Sequence, residues 1–272
     1  MHHRDRYTLE DLQTLMTVLR DEQYGCPWDV TQSWRSIVPH TLEEVYEVVD
    51  AIEREDFDEV RLELGDLLFQ IAYYAQLAHE EQRFDFADVI DGIVTKMIAR
   101  HPHVFPEGTL DSRRHGQPAC TLNDADIKAQ WEQRKQHERD ISSDAPVAAS
   151  LMDNVPHALP ALVRAGKLSQ RATRLGFDWP EHYHTSLKID EELAEVREAA
   201  QQDDPDHLEE EVGDLLFAVA NYARKLGIDP EQALRKANYK FERRFRGVEQ
   251  RYQPGDQLSA LEAYWQEVKA AE

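Results

Sequence analysis

The sequence predicts an all-α protein built from two tandem copies of one helical bundle. Apolar residues recur at spacings of three and four along several long segments, which is typical of amphipathic helices. Eleven Gly and twelve Pro among 272 residues are few for a turn-rich all-β chain. Residues 41–76 also align without a gap with residues 189–224, at an offset of 148 residues. An internal match of this length indicates a duplicated module.

The first helix of each copy precedes a short polar break. In residues 42–52 the apolar side chains follow the helical period, and Thr41 with Glu44 predicts a capping box that starts this helix. Residues 53–59, matched by 201–207, are polar and predict the connection to the next helix.

The second helix of each copy is predicted over residues 60–80 and 208–227, with Pro205 at the start of the later one. Both contain a Gly-Asp-Leu-Leu-Phe block whose glycine, Gly65 or Gly213, should cost roughly 1 kcal/mol relative to alanine. Because both copies have this glycine in spite of the lost helix stability, we expect close packing there or a group that approaches the backbone. Short connections favour antiparallel neighbours, so each copy is expected to hold about four core helices.

The predicted domain boundary lies between the two helical patterns. Residues 138–156 mix Ser, Asp, Ala and Pro and are interpreted as a connector. We therefore expect an N-terminal domain over residues 1–137, a linker over 138–152 and a C-terminal domain over 153–272.

Composition limits the partners and the compartment. A net charge of −22 and a pI near 4.9 oppose binding to nucleic-acid backbones and anionic membranes. Only Cys26 and Cys120 occur, which excludes a disulfide framework and zinc-type cysteine spacing. No apolar run approaches the roughly 18 residues of a membrane span. A soluble, cytoplasmic protein without nucleic-acid or membrane partners is expected.

Four carboxylates of the second copy are the strongest candidate site. Glu192 and Glu195 are three residues apart on one predicted helix, as are Glu211 and Asp214 on the next, so each pair shares a helix face. Two unit charges about 4 Å apart repel by roughly 4 kcal/mol at an effective dielectric of 20. Converging carboxylates must therefore protonate, separate or bind cations. Oxygen ligands without His or Cys favour Mg²⁺, with Mn²⁺ next.

Basic and aromatic residues accompany these carboxylates. Lys188 lies four residues before Glu192, and the pairs Lys240–Arg244 and Trp265–Lys269 each have a four-residue spacing. Such cations suit phosphate oxygens, and a tryptophan can stack on a base. Ordinary surface charge and a core tryptophan are the alternatives.

The first copy repeats the pattern. Its equivalent candidates are Glu44, Glu47, Glu63, Asp66, Lys96, Arg100, Trp131 and Lys135. His40 stands where the second copy has Lys188, and it is largely neutral near pH 7. A solvated helix face would also contain Glu-x-x-Glu pairs, but two pairs in register on adjacent helices, found twice, favour a function.

Several other active-site types are disfavoured. The sequence contains no GxxxxGK[ST] loop and no Gly-x-Ser-x-Gly elbow. The one Glu-x-x-His pair, Glu181–His184, lies outside the paired helices, which argues against a di-iron bundle. His101 and His103 are expected in a turn that ends a helix.

These motifs together resemble the MazG family of the all-α NTP pyrophosphatase superfamily. The resemblance rests on the paired acidic motifs, the Gly-Asp-Leu-Leu-Phe blocks, GCPWD at 25–29, RHPHVFPEG at 100–108 and the duplication. It implies a homodimer of helical bundles that hydrolyses NTPs and dNTPs to the monophosphate and pyrophosphate with Mg²⁺, as nucleotide-pool housekeeping.

The resemblance also implies residue roles. The magnesium and catalytic positions would be Glu192, Glu195, Glu211 and Asp214. The nucleotide-contacting positions would be Lys188, Lys240, Arg244, Trp265 and Lys269. Glu191, beside the ligands, is a candidate general base that also contacts substrate. The C-terminal domain is expected to be the main catalytic one.

Two other readings stay open. The chain could be a narrower hydrolase, resembling a dUTPase or an enzyme for damaged nucleotides. It could instead be a non-catalytic acidic helical dimer that binds a basic protein partner.

Overall fold

The computed structural model describes residues 6–113, 123, 150–153, 155–179 and 181–272, and the regular elements of these residues are all helical. The chain divides into two compact units, residues 1–142 and 143–272. This confirms the predicted all-α class with two tandem bundles. The limits 1–137, 138–152 and 153–272 stay a prediction, since most of the linker lies outside the described residues, as do Cys120, Trp131 and Lys135.

Each unit contributes five described α-helices. The first unit has α1 Leu9–Leu19, α2 Pro27–Thr31, α3 Trp34–Glu53, α4 Phe57–Glu80 and α5 Phe86–Arg100. The second unit has α6 Ala161–Ala172, α7 His182–Ala199, α8 Pro205–Lys225, α9 Pro230–Glu249 and α10 Leu258–Ala270. Short 3₁₀ turns occur at Leu110–Ser112 and Thr173–Leu175.

The helix pairs α3–α4 and α7–α8 start at equivalent residues. α3 and α7 begin at residues 34 and 182, and α4 and α8 begin at 57 and 205, so both starts keep the offset of 148. Asp56 and Asp204 cap the second helix of each pair by accepting a backbone N–H, at 3.1 and 3.2 Å. Pro205 occupies the first turn of α8, as predicted.

The predicted start of the first long helix is wrong. α3 begins at Trp34, where Ser33 and Ser36 form the reciprocal cap. Thr41 lies inside the helix, and its hydroxyl donates to the carbonyl of Ile37 at 3.1 Å. A Thr followed by Glu three residues later resembles a cap, but the apolar face continues one turn upstream through Ile37, which is buried.

The core of the first unit lies between α1, α3 and α4. It includes Met16, Ile37 and Tyr73, and the ring of Tyr73 is fully buried. The Tyr73 hydroxyl donates to the carbonyl of Asp29 at 2.8 Å, which ties α4 to the end of the 25–29 segment. Arg20 donates to the same carbonyl and pairs with Glu80 at 2.7 Å.

In the second unit, α6 packs on α8 and α9 pairs with α10. The segment 176–179 begins at Gly176, whose φ of 78° suits glycine. Asp178 accepts hydrogen bonds from Arg224 at 3.3 Å and Lys225 at 2.9 Å, and Lys225 also donates to the carbonyl of Trp179. These contacts hold the segment against α8.

Gly65 and Gly213, which occupy equivalent positions in the two copies, have no packing explanation within the described residues. A Cβ atom built at either position would meet nothing within 4 Å. The expectation of close packing at these glycines is therefore wrong for the described structure. The alternative expectation, that another group approaches the backbone there, stays a prediction. No described helix is long and apolar enough to cross a membrane.

Candidate active site

Three carboxylates from two helices converge in the second unit. Glu192 and Glu195 lie one turn apart on α7, and Glu211 faces them from α8. One carboxylate oxygen of each lies within 4.8 Å of the others, and Glu192 is only 5% exposed. This spacing allows the three groups to share one cation. The antiparallel helix pair therefore produces the juxtaposition that the i,i+3 spacing suggested.

Asp214 takes a different place from the other three. It lies outside the group that meets this distance limit, and it is exposed on α8. Together with Lys188 and Glu192 it lines a cavity of about 430 Å³ in the second unit. The structure thus brings together three of the four predicted ligands and places the fourth at the adjoining cavity.

The carboxylates of the acidic cluster repel one another, and a bound cation would reduce that repulsion. A hydrogen bond with Glu192, burial, and the charges of Glu192 and Glu211 raise the pKa of Glu195. Lys188 already compensates part of this charge, because its Nζ lies 2.7 Å from Glu191 Oε1 and 2.7 Å from Glu192 Oε1. These two carboxylates raise the pKa of Lys188, so it stays a cation. Hard oxygen donors in this arrangement fit a divalent ion such as Mg²⁺.

The first unit contains the equivalent cluster with different neighbours. Glu44, Glu47 and Glu63 have carboxylate oxygens within 4.8 Å of one another. Burial and the charge of Asp66 raise the pKa of Glu44, although Asp66 itself is exposed and outside the group. The amide of Gln70 donates to Glu44 at 3.3 Å.

The cationic partner also differs between the units. His40, at the position of Lys188, lies 3.7 Å from Glu43, the residue before Glu44. The acidic group of the first unit is therefore stabilised by a neutral amide, whereas that of the second unit is held by a lysine.

The remaining predicted contact residues form separate groups. On α9 and α10, Arg244 pairs with Glu272 at 2.7 Å and its guanidinium lies 5.8 Å from the ring centroid of Trp265. Phe241 packs on the same tryptophan, at 5.4 Å between ring centroids. Among the described contacts, these residues bind one another and not the acidic cluster. The side chains of Lys96, Lys240 and Lys269 are exposed, and that of Arg100 is half-buried. Glu191 is exposed beside the acidic cluster.

Sequence reasoning missed several residues of this region. His207 lies 3.6 Å from Glu211, one turn earlier on α8, and its four-residue spacing was a usable signal. Thr185, Ala218 and Asn221 line the cavity. Only a residue-by-residue comparison of the two copies could have singled them out, since none belongs to a motif.

Comparisons with known proteins match both units to one family of domains. Residues 32–105 and 181–248 match the MazG nucleotide pyrophosphohydrolase domain, once in each unit. The chain is 46% identical to the nucleoside triphosphate pyrophosphohydrolase of Escherichia coli K12 over 97% of this chain and 98% of that protein.

Two further relatives extend the comparison. The chain is 36% identical to the nucleoside triphosphate pyrophosphohydrolase/pyrophosphatase MazG of Thermotoga maritima, over 97% of this chain and 96% of that protein. It is 34% identical to the nucleoside triphosphate pyrophosphohydrolase of Mycolicibacterium smegmatis, over 62% of this chain and 47% of that protein. With two domain matches and full-length relatives, the chain belongs to the MazG family of nucleotide pyrophosphohydrolases.

Proposed function

We propose that this protein hydrolyses nucleoside triphosphates, NTPs and dNTPs alike, to the monophosphate and pyrophosphate in a Mg²⁺-dependent reaction, mainly in its second unit. The observation that carries the proposal is the group of Glu192, Glu195 and Glu211 with Lys188 bound beside it. Full-length similarity to nucleoside triphosphate pyrophosphohydrolases supports the same reaction.

In this reaction water attacks the α-phosphorus, the bond from that phosphorus to the α–β bridging oxygen breaks, and pyrophosphate leaves. The attacking water gives up one proton. Glu192, Glu195, Glu211 and Asp214 would hold the divalent ion, which when bound supplies charge neutralisation of the phosphate oxygens and activation of water. Mn²⁺ is expected to substitute for Mg²⁺.

The chain's own residues position the substrate. Lys188 lies between the acidic cluster and the cavity, so it can exchange a carboxylate for a phosphate oxygen. That exchange would release Glu191, our candidate general base, from its 2.7 Å contact with Lys188. Arg244 would have to give up its pair with Glu272 to bind phosphate.

The unequal neighbours of the two clusters favour the second unit as the principal site. Lys188 offers a permanent positive charge, whereas His40 points to Glu43, and Gln70 occupies an oxygen of Glu44. We expect the first unit to bind metal weakly or to act on a narrower set of substrates.

The proposal includes a homodimer in the cytoplasm. Equivalent positions of α4 and α8 carry exposed apolar side chains, namely Leu64, Ile71, Val212 and Val219. Apolar side chains repeated on one element are suited to burial against a second copy.

Product analysis tests the reaction. Purified protein is incubated with ATP and Mg²⁺, and the products are separated by ion-exchange chromatography. We expect AMP and pyrophosphate; ADP with orthophosphate would contradict the proposal. A panel including dUTP and oxidised purine nucleotides separates a broad substrate range from a narrow one, and a partner-binding dimer would release no pyrophosphate.

Separate substitutions test the division between the units. Glu192→Ala should abolish most NTP hydrolysis, because it removes the most buried carboxylate of the second cluster. Glu44→Ala, its matched control, should leave most of the turnover. The opposite pattern would mean that the first unit is the principal site.

A further inference from the structure

Two consecutive arginines of α9 share one carboxylate. Glu272 Oε1 accepts hydrogen bonds from Nε and Nη2 of Arg243 at 3.1 and 2.6 Å. Glu272 Oε2 accepts from Nε and Nη2 of Arg244 at 3.0 and 2.7 Å. Neighbouring residues of a helix do not face each other, so the shared anion, and not the helix, brings the two guanidinium groups together.

The Arg244 side of this contact is shielded from water. The side chains of Arg244 and Glu272 are 17% and 27% exposed, whereas that of Arg243 is 69% exposed. The ring of Trp265 covers the Arg244 guanidinium at 5.8 Å from its centroid. The tryptophan restricts the orientation of this guanidinium, and partial burial strengthens its attraction to an anion because water screens the charge less.

The Glu272 carboxylate has the chemistry of the ligand that we expect at Arg244. The hydrogen bond from Arg244 is the main cause that lowers the pKa of Glu272, and the one from Arg243 adds to it, although burial opposes both. Glu272 is therefore an anion at neutral pH. Arginine binds carboxylate and phosphate groups with the same forked geometry. Glu272 thus occupies the N–H donors that a phosphate group would need.

Glu272 can leave the arginines without unpacking α10. This helix lies close to α9 at Gly247, where a Cβ atom would lie 2.8 Å from the side chain of Val268. Arg251, just after α9, pairs with Glu267 of α10 at 3.6 Å. Within the described structure, the hydrogen bonds of the Glu272 side chain all come from the two arginines. Release of this one side chain therefore leaves the other contacts between α9 and α10 in place.

The sequence of the first copy contains a glutamate at the equivalent position. The offset of 134 residues that relates Trp131 to Trp265 also relates Glu138 to Glu272, and residue 138 lies outside the described residues. Both copies thus place a glutamate seven residues after the tryptophan. The spacing belongs to the duplicated module and not to the second copy alone.

We propose that Glu272 competes with the substrate: its carboxylate occupies Arg243 and Arg244 in the unliganded chain, and a phosphate group of the triphosphate displaces it on binding. The inference rests on the proposed function, in which Arg244 contacts phosphate. No covalent bond changes in this exchange, because one anion replaces another. The apparent Kd of a polyphosphate is then its intrinsic Kd divided by the fraction of chains whose arginines are released. Glu272 thereby raises the substrate concentration that the protein needs.

Binding of inorganic tripolyphosphate with Mg²⁺, measured by calorimetry on the full chain, tests this competition. Glu272→Ala releases both arginines, so binding should tighten about tenfold, as for a site that is open in about one chain in ten. Glu272→Gln keeps an oxygen acceptor without the charge and should give an intermediate affinity. A purely structural role of Glu272 predicts weaker binding in both variants instead.

Glu267→Gln is the matched control. It removes one negative charge from α10 and weakens the pair with Arg251, but it leaves Arg243 and Arg244 on Glu272. Tripolyphosphate binding should change less than about twofold, since an exposed charge has little effect at a distance. Tightening equal to that of Glu272→Ala would overturn the inference, because the general loss of negative charge would explain both.

A double-mutant cycle tests whether the effect depends on Arg244. In the Arg244→Gln background, Glu272→Ala should tighten tripolyphosphate binding less than about twofold, because the shielded partner of the carboxylate is absent. Tightening that stays near tenfold would contradict the competition. With ATP as substrate, Glu272→Ala should raise kcat/KM about tenfold, since this ratio refers to the unliganded protein.

The outcomes separate this inference from the proposed reaction. If the wild-type chain releases no pyrophosphate from NTPs, the proposed function fails, while tripolyphosphate binding still decides the role of Glu272. If the wild type hydrolyses NTPs but Glu272→Ala binds tripolyphosphate no more tightly than the wild type, the inference fails alone.

Discussion

Lys188 is the residue that most clearly separates the two acidic clusters. Its ammonium lies 2.7 Å from Glu191 and from Glu192, in a position where the first unit has an imidazole. The charge of this lysine is permanent, and the triphosphate that we expect as substrate is strongly anionic.

We therefore expect Lys188→Gln to lower kcat/KM for ATP by about 10- to 100-fold, since one charge-assisted phosphate contact is lost. Lys188→Arg should retain more activity, because it keeps the charge. Steady-state pyrophosphate release measures both variants. Equal activity of Lys188→Gln and wild type would exclude a phosphate contact.

A second prediction at this scale concerns pH and the Arg20–Glu80 pair. Burial alone would raise the pKa of Glu80, but hydrogen bonds from Arg20 and Gln76 overcome it and lower the pKa below 4.5. An acid with a lowered pKa stabilises the fold above its unfolded pKa, and this contribution is lost as pH falls through and below about 4.5.

Glu80→Gln should thus lower the free energy of unfolding by about 1 kcal/mol at pH 7, a value discounted because the carboxylate is 35% exposed. The difference from wild type should shrink below pH 4. Urea unfolding at several pH values measures it, with the exposed Glu22→Gln as control. A difference that is independent of pH would rule out the ion pair as its source.

The limits of sequence reasoning are visible in individual residues. The i,i+3 spacing correctly indicated that Glu192 and Glu195 share a face, because helix geometry fixes it. It could not show that Asp214 would line the cavity while Glu211 joined the cluster, since that depends on how α8 is rotated against α7. Nor could it identify Thr185, because only the structure shows that its buried hydroxyl lines the cavity without a hydrogen-bond partner among the described residues.

At the scale of elements, the glycines of α4 and α8 are unusual because the described structure gives no steric reason for them. Gly213→Ala should stabilise the folded chain by about 1 kcal/mol through helix propensity. If substrate or a second copy approaches this backbone, the same change should lower kcat/KM or dimer affinity.

Thermal unfolding and steady-state kinetics compare Gly213→Ala with its matched variant Gly65→Ala. Lost stability in both variants, instead of a gain, would reveal close packing that the described residues do not show.

Element boundaries were predictable where a cap and a break coincided. The turn before α8 carries Asp204 and Pro205, and the helix begins there as expected. The start of α3 was misplaced by eight residues, since the capping residue is Ser33 and not Thr41. A short polar side chain inside a helix can bond to the preceding turn, as Thr41 does, and so imitate a cap in the sequence.

For the whole molecule, the duplication was the strongest signal. An ungapped match over residues 41–76 and 189–224 required helix pairs that start at equivalent residues, and the structure has them. The different surroundings of the two acidic clusters were not predictable in the same way, because a pattern of apolar and polar residues does not show that Gln70 donates to Glu44 while the equivalent position of the second unit holds Ala218.

Because each unit contains an acidic cluster, divalent ions should stabilise the whole chain. A ligand present at 100 times its Kd adds about 2.7 kcal/mol to the unit that binds it. We expect Mg²⁺ to raise the melting temperature, Glu192→Gln to remove the larger part of that rise and Glu44→Gln the smaller part. Calorimetry with and without Mg²⁺ measures this, and Ca²⁺ is the comparison ion. An unchanged rise in the double variant would place the bound ions elsewhere.

The equal offset between the helix starts of α3–α4 and α7–α8 has a practical consequence. Residues 34–77 and 182–225 can be exchanged by recombination without adding or deleting a codon, since the two segments are equally long and both helix starts keep the offset of 148. Chimaeras of this kind would move the acidic cluster of one unit into the other, with the polypeptide length constant throughout.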